Sequence, residues 1–266
     1  MQRVKSTPRR VLPVLMALCA AGALACGLFL MAGSREYAEG DAVYQQVRQV
    51  RQVRTPQAAA PQALPGESPP PEAAAEEADA VDFSALAEIN PDVVAWLSAP
   101  GTEIDYPVVL GTDNAYYLTH LFTGEQNKLG AIFLDYRSSG DFSDRNTVVY
   151  GHNMKDGSMF SSLTSYREQS YYDRFPAMLL DTPAGGYRIE LFAGMVVDGN
   201  QESIRFRFAD DLEFQDYVDS LKAASSFVSD TAVSAGDRII TLCTCSYEFS
   251  NARYALFGKL TPIQTP

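Results

Sequence analysis

Residues 239–260 read IITLCTCSYEFSNARYALFGKL. The segment IITLCTC has the β-branched, apolar composition of a strand, SYEFSNA is typical of a turn, and RYALFGKL is typical of a returning strand. The sequence therefore predicts a β-hairpin in which Cys245 ends one strand and Arg253 begins the next, so that a thiol and a guanidinium face each other. Taken alone, Cys245 is better explained as a core residue, because cysteine is often buried. Other motifs in the chain change that interpretation.

The N-terminal part of the chain predicts a membrane anchor. Residues 11–32 contain no charged side chain and number 22, enough to cross a bilayer core, which needs about 20 apolar residues. Basic side chains before this run place the N-terminus in the cytoplasm and the rest of the chain outside the cell. These are Arg3, Lys5, Arg9 and Arg10. A cleaved signal peptide is the alternative, although its apolar region usually spans only roughly 7–15 residues.

Composition divides the remaining chain into a tether and a folded domain. Residues 1–10 are a basic tail and residues 33–80 a spacer, within which residues 35–54 are interpreted as a solvated segment or a short helix. Residues 55–80 are rich in Pro, Ala and Glu and bury too little apolar surface to fold. Residues 81–266 carry 13 basic and 25 acidic side chains, a net charge of −12. So acidic a domain is a poor candidate for binding nucleic acid, which needs basic patches.

The domain at residues 81–266 is predicted to be mostly β. Segments rich in Val, Ile, Tyr, Phe and Leu alternate with turn residues. The predicted strands are EIDYPVVL (103–110), GAIFLDYR (130–137), NTVVYGH (146–152), GYRIELFAGMVVD (186–198), RIITLCTC (238–245) and RYALFGKL (253–260). The predicted helices are two short ones in residues 82–100, separated at Asn90-Pro91, and further helical segments at 158–175 and 210–225. This pattern indicates a closed or nearly closed β-barrel decorated by helices.

Three side chains of this domain, His152, Cys245 and Arg253, are candidates for chemistry, and nucleophilic acyl transfer is the first of three options. His152 ends a strand-like segment beside Gly151 and before a polar loop, a position from which it can face a groove. The other histidine, His120, lies in an aromatic-rich turn and is interpreted as structural. With Cys245 and Arg253, His152 offers nucleophilic acyl transfer. The thiolate attacks a carbonyl, the imidazolium protonates the leaving amine, and the guanidinium steadies the thiolate and the oxyanion.

Two other chemistries remain open for these residues. Cys243, Cys245 and His152 offer three metal ligands, although zinc sites usually space their cysteines by two to four residues and Arg253 would repel a cation. Redox exchange is favoured by a C-x-x-C motif in a thioredoxin-like context, which this sequence does not contain. Papain-like peptidases place the cysteine before the histidine, so the order His152, Cys245, Arg253 indicates a different class.

A family resemblance combines these motifs. TLCTC followed by Arg253, YGHNMKDGSMF upstream and a positive-inside N-terminal anchor resemble the sortases, transpeptidases of Gram-positive bacteria. Class B is indicated by INPDVVAWLSAPGTEIDYPVV, DNAYYLTHLF, GAIFLDYR and the helix-containing insert between His152 and Cys245. The resemblance covers residues 85–260 and implies an eight-stranded sortase β-barrel with N-terminal and inserted helices, preceded by a single transmembrane helix. It implies Cys245 as nucleophile, His152 as general acid/base and Arg253 as oxyanion stabiliser.

The resemblance also implies a substrate and partners. The enzyme would cleave a C-terminal sorting signal of the NPxTG or NPxTN kind after Thr, through a thioester. It would then transfer the surface protein to an amine of peptidoglycan or a lipid-linked precursor, without a cofactor or metal, from the outer side of the cell membrane. The residues implied for substrate binding are Asn114, Leu118, Tyr150, Cys243 and Thr244. A pilus-polymerising sortase, and a surface binding or structural module that keeps the fold without activity, are the alternatives.

Two positions depart from the family pattern. Ser246 stands where some class B members carry Asp, so an assisting carboxylate is not expected there. Cys243 occupies the variable position of TLxTC, which is often Ser, and strand alternation puts it on the same face as Cys245. Their Cα atoms would lie about 6.6 Å apart in an extended strand, at the long end of disulfide geometry. A strained disulfide that protects or silences Cys245 is therefore a hypothesis, beside a harmless Ser-to-Cys substitution.

Overall fold

A computed structural model describes residues 11–52, 81–199, 203–246 and 248–263. Within these ranges eight strands close into a barrel, which confirms the predicted mostly β, eight-stranded architecture. The predicted basic tail at residues 1–10 and the Pro/Ala/Glu-rich linker at residues 55–80 lie outside the described residues.

The described part of the chain contains eight strands, four α-helices and two 3₁₀-helices. The strands are β1 (Val93–Ser98), β2 (Asp105–Val109), β3 (Ile132–Leu134), β4 (Asn146–Tyr150), β5 (Ala177–Thr182), β6 (Gly185–Asp198), β7 (Ile239–Cys245) and β8 (Ala252–Pro262). The α-helices are α1 (Val11–Gln52), α2 (Phe83–Ile89), α3 (Gln169–Arg174) and α4 (Asp211–Ala224). Short 3₁₀-helices occupy Tyr116–Leu118 and Ser161–Arg167.

The barrel order is β1-β2-β3-β4-β7-β8-β6-β5, and β5 closes it by pairing with β1. β2–β3 and β4–β7 are parallel pairs, and the other neighbours are antiparallel. β7 thus lies between a parallel partner and an antiparallel one. Because parallel strands point the same way, the carboxyl ends of β4 and β7 meet at the same edge of the barrel.

The predicted hairpin at residues 239–260 is confirmed. β7 and β8 pair without a bulge from Ile239 opposite Lys259 to Cys245 opposite Arg253. Asn251 ends the turn with a φ of 61°, the left-handed conformation that Asn tolerates better than most residues. The Ser246 amide then donates to the Ala252 carbonyl at 2.8 Å and closes the turn beyond the last ladder pair.

The prediction of a second helix within residues 82–100 is wrong. Only Phe83–Ile89 is helical, capped by Asp82, whose carboxylate accepts from the Ser84 and Ala85 amides. Val93–Ser98 is β1, held between β2 and β5, and all but one of its residues are buried. A strand buried on both faces lacks polar alternation, so its apolar spacing resembles that of a helix.

Two further differences concern Asn90 and β5. Asn90 does not cap a second helix, because the strand β1 follows it. Its side-chain oxygen accepts from the Asp92 amide at 2.9 Å, and its side-chain nitrogen donates to the Phe122 carbonyl at 2.7 Å and to the Tyr117 hydroxyl at 2.9 Å. β5, which the sequence reading missed, is a short strand of alternating burial that directly follows α3.

The helical insert between β6 and β7 packs against the barrel wall. α4 begins after Asp210, whose side chain accepts from the Glu213 amide at 2.9 Å. Its apolar stripe joins a buried cluster with residues of β6 and β8. The α4 members are Phe214, Tyr217, Val218 and Leu221. The predicted helix at 158–175 forms as two pieces, the 3₁₀-helix Ser161–Arg167 followed by α3.

The chain divides into two compact units between Ala42 and Val43. The first contains α1 from Val11 to Ala42. Searched over the described residues, the helices include none that combines the length and the apolar character of a membrane span.

The second unit begins with the end of α1 and includes the barrel. Tyr44 and Val47 are buried, with 1% and 2% of their surface exposed. The Tyr44 hydroxyl donates to the Gly130 carbonyl at 2.6 Å, and Arg48 Nε donates to the Asp105 carbonyl at 2.9 Å. This packing differs from the expected solvated spacer, because residues 43–52 belong to the folded domain that was predicted to start at residue 81.

Candidate active site

The β7–β8 hairpin brings a guanidinium within hydrogen-bonding distance of a thiol. Cys245 and Arg253 are directly opposed in the ladder, and Arg253 Nη1 donates to Cys245 Sγ at 3.0 Å. Cys245 is half-buried and lines a cleft. A cation at this distance is able to stabilise a thiolate or a negatively charged oxygen.

Two neighbours hold the Arg253 side chain in this orientation. The Asn251 side-chain carbonyl accepts from Arg253 Nη2 at 3.3 Å. Gly199, which follows β6, donates its amide to the Asn251 carbonyl at 3.0 Å. A Cβ at Gly199 would lie 2.9 Å from Arg253 Nε and 2.9 Å from Asn251 Nδ2. The absence of a side chain at residue 199 therefore leaves room for the guanidinium.

His152 reaches the same edge of the barrel through the parallel β4–β7 pair. Tyr150 is opposite Cys243, and the Gly151 amide continues the ladder to the Cys243 carbonyl at 3.2 Å. Asn153 Nδ2 then donates to the Cys245 carbonyl at 2.9 Å, so residues 151–153 run beside the end of β7. His152 Nε2 bonds to the Leu118 carbonyl at 2.7 Å. Because a carbonyl only accepts, Nε2 carries the proton of that bond.

The three predicted catalytic residues line one cleft of about 850 Å³. Four of the predicted substrate-binding residues line it with them: Asn114, Leu118, Tyr150 and Cys243. The fifth, Thr244, does not line it. Its side chain is buried on the other face of β7, where its hydroxyl donates to the Gly151 carbonyl at 2.8 Å. That bond ties β7 to the residue before His152.

Two parts of this site were not predicted from the sequence. One is the wall formed by residues 204–207, and the other is the buried carboxylate of Asp135. Ile204, Arg205, Phe206 and Arg207 approach from the connection between β6 and α4. A polar connection has no periodicity, so no sequence signal assigned it to the site. Asp135, fully buried directly after β3, bonds to Asn114 and Tyr150. In the sequence, Asp135 lies within the predicted strand at residues 130–137, which gives no indication of a role in the site.

Comparison with known proteins decides the family. A sortase domain model matches residues 97–261. The chain is 40% identical over 177 residues to sortase B of Listeria monocytogenes, which covers 66% of this chain and 72% of that protein. Against sortase B of Staphylococcus aureus it is 33% identical over 183 residues, covering 68% and 75%. The chain is a class B sortase.

Solved structures share the fold of this sortase. S. aureus sortase B matches with a TM-score of 0.65 at 33% identity, over 68% of this chain and 87% of that one. Clostridium perfringens sortase B matches with a TM-score of 0.64 at 32% identity, over 67% of this chain and 98% of that one. A sortase B–substrate complex from S. aureus also matches, with a TM-score of 0.65. The chain is accordingly a sortase B-type cysteine transpeptidase.

Cys243 of the sortase shares the cleft with Cys245 but not its environment. Only 2% of its surface is exposed, and burial raises the pKa of its thiol to about 12. Both cysteines are free thiols, and the disulfide between them stays a hypothesis. Within the described ranges, no three His, Cys, Asp or Glu side chains come together as a possible metal site.

Ser246 of the sortase lies on the face of the hairpin opposite to Cys245. Its hydroxyl accepts from Arg167 Nη2 at 2.7 Å and bonds to the Glu248 carboxylate. Glu248 also pairs with Arg167. The Glu248 carboxylate of this turn therefore pairs with a cation of the 3₁₀-helix Ser161–Arg167, and it does not line the cleft.

Proposed function

We propose that this sortase cleaves a C-terminal sorting signal of the NPxTG or NPxTN kind after its Thr and transfers the surface protein to an amine of peptidoglycan or its lipid-linked precursor. The observation that carries the proposal is the 3.0 Å bond from Arg253 Nη1 to Cys245 Sγ in a cleft that His152 also lines. One of the matching structures is a complex of S. aureus sortase B with a substrate, which supports substrate binding by this fold.

The first half of the proposed reaction forms a thioester. The Cys245 thiolate attacks the Thr carbonyl, and the oxygen becomes negative as the tetrahedral intermediate forms. Arg253 stabilises that oxygen by charge and hydrogen bonding. The C–N bond then breaks, and the His152 imidazolium gives its proton to the departing amine. The product is an acyl-enzyme with a neutral His152.

The second half restores the enzyme. An acceptor amine attacks the thioester and gives a proton to neutral His152, and the C–S bond breaks to release the Cys245 thiolate. The imidazolium and the thiolate are regenerated together, so the cycle consumes no cofactor. Dividing one amide exchange into two steps through a covalent intermediate lowers the barrier of each.

The proposal includes attachment to the cell membrane with the catalytic domain outside the cell. It rests on the sequence: the uncharged run at residues 11–32 and the basic side chains before it. Fractionation of cells, followed by protease treatment of intact protoplasts, tests this part. A full-length chain that stays in the membrane fraction and loses its barrel to external protease is the expected result. Recovery of the chain in the culture medium would contradict it.

The reaction is tested with the full chain and fluorogenic peptides of the NPxTG and NPxTN kinds. Cleavage after Thr, and an acyl-enzyme on Cys245 that hydroxylamine releases, are expected. Cys245→Ala should show neither, and His152→Ala should retain the thiol but lose turnover. If the wild type cleaves no peptide of the panel and traps no acyl group, the alternative of a binding module is favoured.

The preference of the acyl-enzyme for one acceptor amine over another distinguishes wall anchoring from pilus assembly. The acyl-enzyme is offered a peptidoglycan stem or cross-bridge amine and, separately, a folded surface protein with an exposed lysine. Faster resolution by the cell-wall amine supports the proposed function. Faster resolution by the protein lysine supports the pilus-polymerising alternative.

A further inference from the structure

A fully buried carboxylate supports one side of the cleft. Asp135 follows β3 with none of its surface exposed. Its carboxylate accepts five hydrogen bonds. Three come from Arg137: the amide at 3.0 Å, Nε at 2.8 Å and Nη2 at 2.8 Å. The other two come from Asn114 Nδ2 at 2.9 Å and the Tyr150 hydroxyl at 3.1 Å.

This set of donors keeps Asp135 ionised. Burial by itself raises the pKa of a carboxyl group, but the bonds from Arg137 and Asn114 outweigh burial and hold the pKa of Asp135 below its ordinary value. A carboxylate without its proton can only accept hydrogen bonds. Every group that touches Asp135 must therefore present a hydrogen to it.

The orientation of the Asn114 amide is fixed from both ends. Its oxygen accepts from the Tyr136 amide at 3.0 Å, and its nitrogen donates to Asp135 Oδ2. A backbone N–H cannot accept and a carboxylate cannot donate, so the amide cannot be turned over. The remaining N–H of Asn114, a cleft-lining residue, is held as a donor.

Tyr150, in contrast to Asn114, is held as a hydrogen-bond acceptor. Its hydroxyl hydrogen is committed to Asp135, so its oxygen has only acceptor capacity left for a ligand in the cleft. Burial, and then the Asp135 charge, raise the pKa of Tyr150, and Cys243 adds to this while Arg137 opposes it. The phenol is therefore neutral and keeps its hydrogen on Asp135 over the working pH range.

Arg137, which also lines the cleft, connects this support to the segment between β6 and α4. Its guanidinium carbon lies 4.0 Å from the centre of the Phe206 ring, within the range of a cation–π contact. Phe206 belongs to the connection between β6 and α4 and lines the cleft. The buried Asp135 charge thus orients Asn114 and Tyr150 directly, and it holds Arg137, which contacts the Phe206 ring.

We propose that Asp135 is a positioning residue that sets the hydrogen-bond polarity of the substrate cleft, with Tyr150 accepting a backbone N–H of an extended peptide and Asn114 donating to a carbonyl. The proposal rests on the proposed function, because it assigns the contacts of that same peptide. It names the part of the ligand that is recognised: the peptide backbone, which every sorting signal shares, rather than a side chain.

A double-mutant cycle of Asp135→Asn and Tyr150→Phe in the full chain tests the assignment by steady-state cleavage of the fluorogenic peptides. An amide at residue 135 can donate to the Tyr150 oxygen and occupy it, so Asp135→Asn should raise KM about tenfold with kcat nearly unchanged. Tyr150→Phe should cost much less in the Asp135→Asn background than in the wild type. Simple addition of the two effects, or a fall in kcat with KM unchanged, would overturn the proposal.

The matched control is Asp237→Asn. Asp237 also has a carboxylate that accepts from protein donors, the Ser234 amide and hydroxyl, and it does not line the cleft. Asp237→Asn should leave KM and kcat unchanged. Alkylation of Cys245 by iodoacetamide should proceed at the wild-type rate in Asp135→Asn, because the nucleophile and Arg253 are untouched. A slowed alkylation would mean that Asp135 acts through the hairpin, and would overturn the assignment to the cleft.

A second measurement leaves Asp135 unchanged and so does not depend on the folding of its variants. Peptides N-methylated at one backbone position at a time are compared on wild type and Tyr150→Phe. Methylation at one position should weaken peptide binding to the wild type. The same methylation should cause no further loss of binding to Tyr150→Phe. If every position keeps its full effect on Tyr150→Phe, then Tyr150 accepts no peptide N–H and the proposal is wrong. Failure of the wild type to cleave any unmethylated peptide would instead reject the proposed function.

Discussion

Cys245 and Arg253 form a directly opposed pair on neighbouring strands, with Arg253 Nη1 donating to Cys245 Sγ at 3.0 Å. The backbone ladder itself therefore sets the distance between the thiol and its cation. A side chain carried on a long connection would lack this constraint. The register of one hairpin thus decides whether the thiol has its positive neighbour.

Removing the guanidinium should slow the chemical step more than binding. Arg253→Ala should lower kcat about 10²–10³-fold, the loss that follows removal of one oxyanion donor. Arg253→Lys should recover little, because an ammonium cannot reproduce the guanidinium fork that reaches both Cys245 and Asn251. Cleavage kinetics with a fluorogenic sorting-signal peptide provide the measurement. Arg188→Ala, an exposed arginine of β6, is the control, and an equal loss there would contradict this role.

Substitution of Gly199 should lower kcat as much as substitution of a residue that touches the substrate. A methyl group in Gly199→Ala would approach Arg253 Nε to 2.9 Å and the Asn251 carbonyl to 3.0 Å, so the guanidinium must move. Misplacement of a catalytic group by about 1 Å can cost about 100-fold in rate. The comparison is Gly236→Ala, where the added carbon meets nothing within 4 Å. Equal kcat values for the two variants would show that the guanidinium tolerates the displacement.

The two cysteines of the cleft should differ sharply in how fast they react with electrophiles. At pH 8, iodoacetamide should alkylate Cys245 and leave Cys243 intact, because Cys243 is buried and its pKa is about 12. Peptide mapping by mass spectrometry distinguishes the two positions. Denaturation in urea should make both react. Equal labelling in the native protein would mean that Cys243 is exposed in solution.

Cys243 should also make stability depend on alkaline pH. An unfolded cysteine thiol ionises near its ordinary pKa of 9.0, whereas burial raises the pKa of the native Cys243 thiol to about 12. Between these values the unfolded state has released a proton that the native state retains, so the free energy of unfolding falls as pH rises. Urea titrations at pH 8 and pH 10 should show a larger fall for the wild type than for Cys243→Ser. The tyrosines titrate in both proteins, so the difference isolates Cys243.

Tyr44 should contribute stability to the domain. Tyr44→Phe removes the donor to the Gly130 carbonyl and the acceptor of the Phe122 amide, leaving buried polar groups unpaired. The expected loss is about 1–3 kcal/mol in the free energy of unfolding, measured by urea titration of the full chain. Tyr136→Phe, at a ring that is 53% exposed, should change it little. Wild-type stability in Tyr44→Phe would indicate that the end of α1 is detached in solution.

Sequence reasoning succeeded where local chemistry was sufficient. The hairpin could be predicted because β-branched residues and a turn ending in Asn251 specify register locally, and the motif around Cys245, Arg253 and His152 indicated the family. β1 could not, because a strand buried between β2 and β5 has no polar face to reveal its period. Asp135 was missed because its partners, Asn114 and Tyr150, lie 21 and 15 residues away in the chain. Only the folded barrel brings these three together.

The separation of the site residues along the chain has a consequence for how the enzyme matures. Cys245 and Arg253 are 8 residues apart, whereas the Thr244–Gly151 bond that aligns His152 spans 93. A β-hairpin closes in about 1–10 μs, but a parallel pairing across so long a loop carries a larger entropic cost and forms later. We therefore expect each newly made chain to pass through a stage in which the Cys245 thiol already has its cation but His152 is not yet beside them. If these residues act as proposed, the nascent enzyme has its thiol–guanidinium pair before it has turnover.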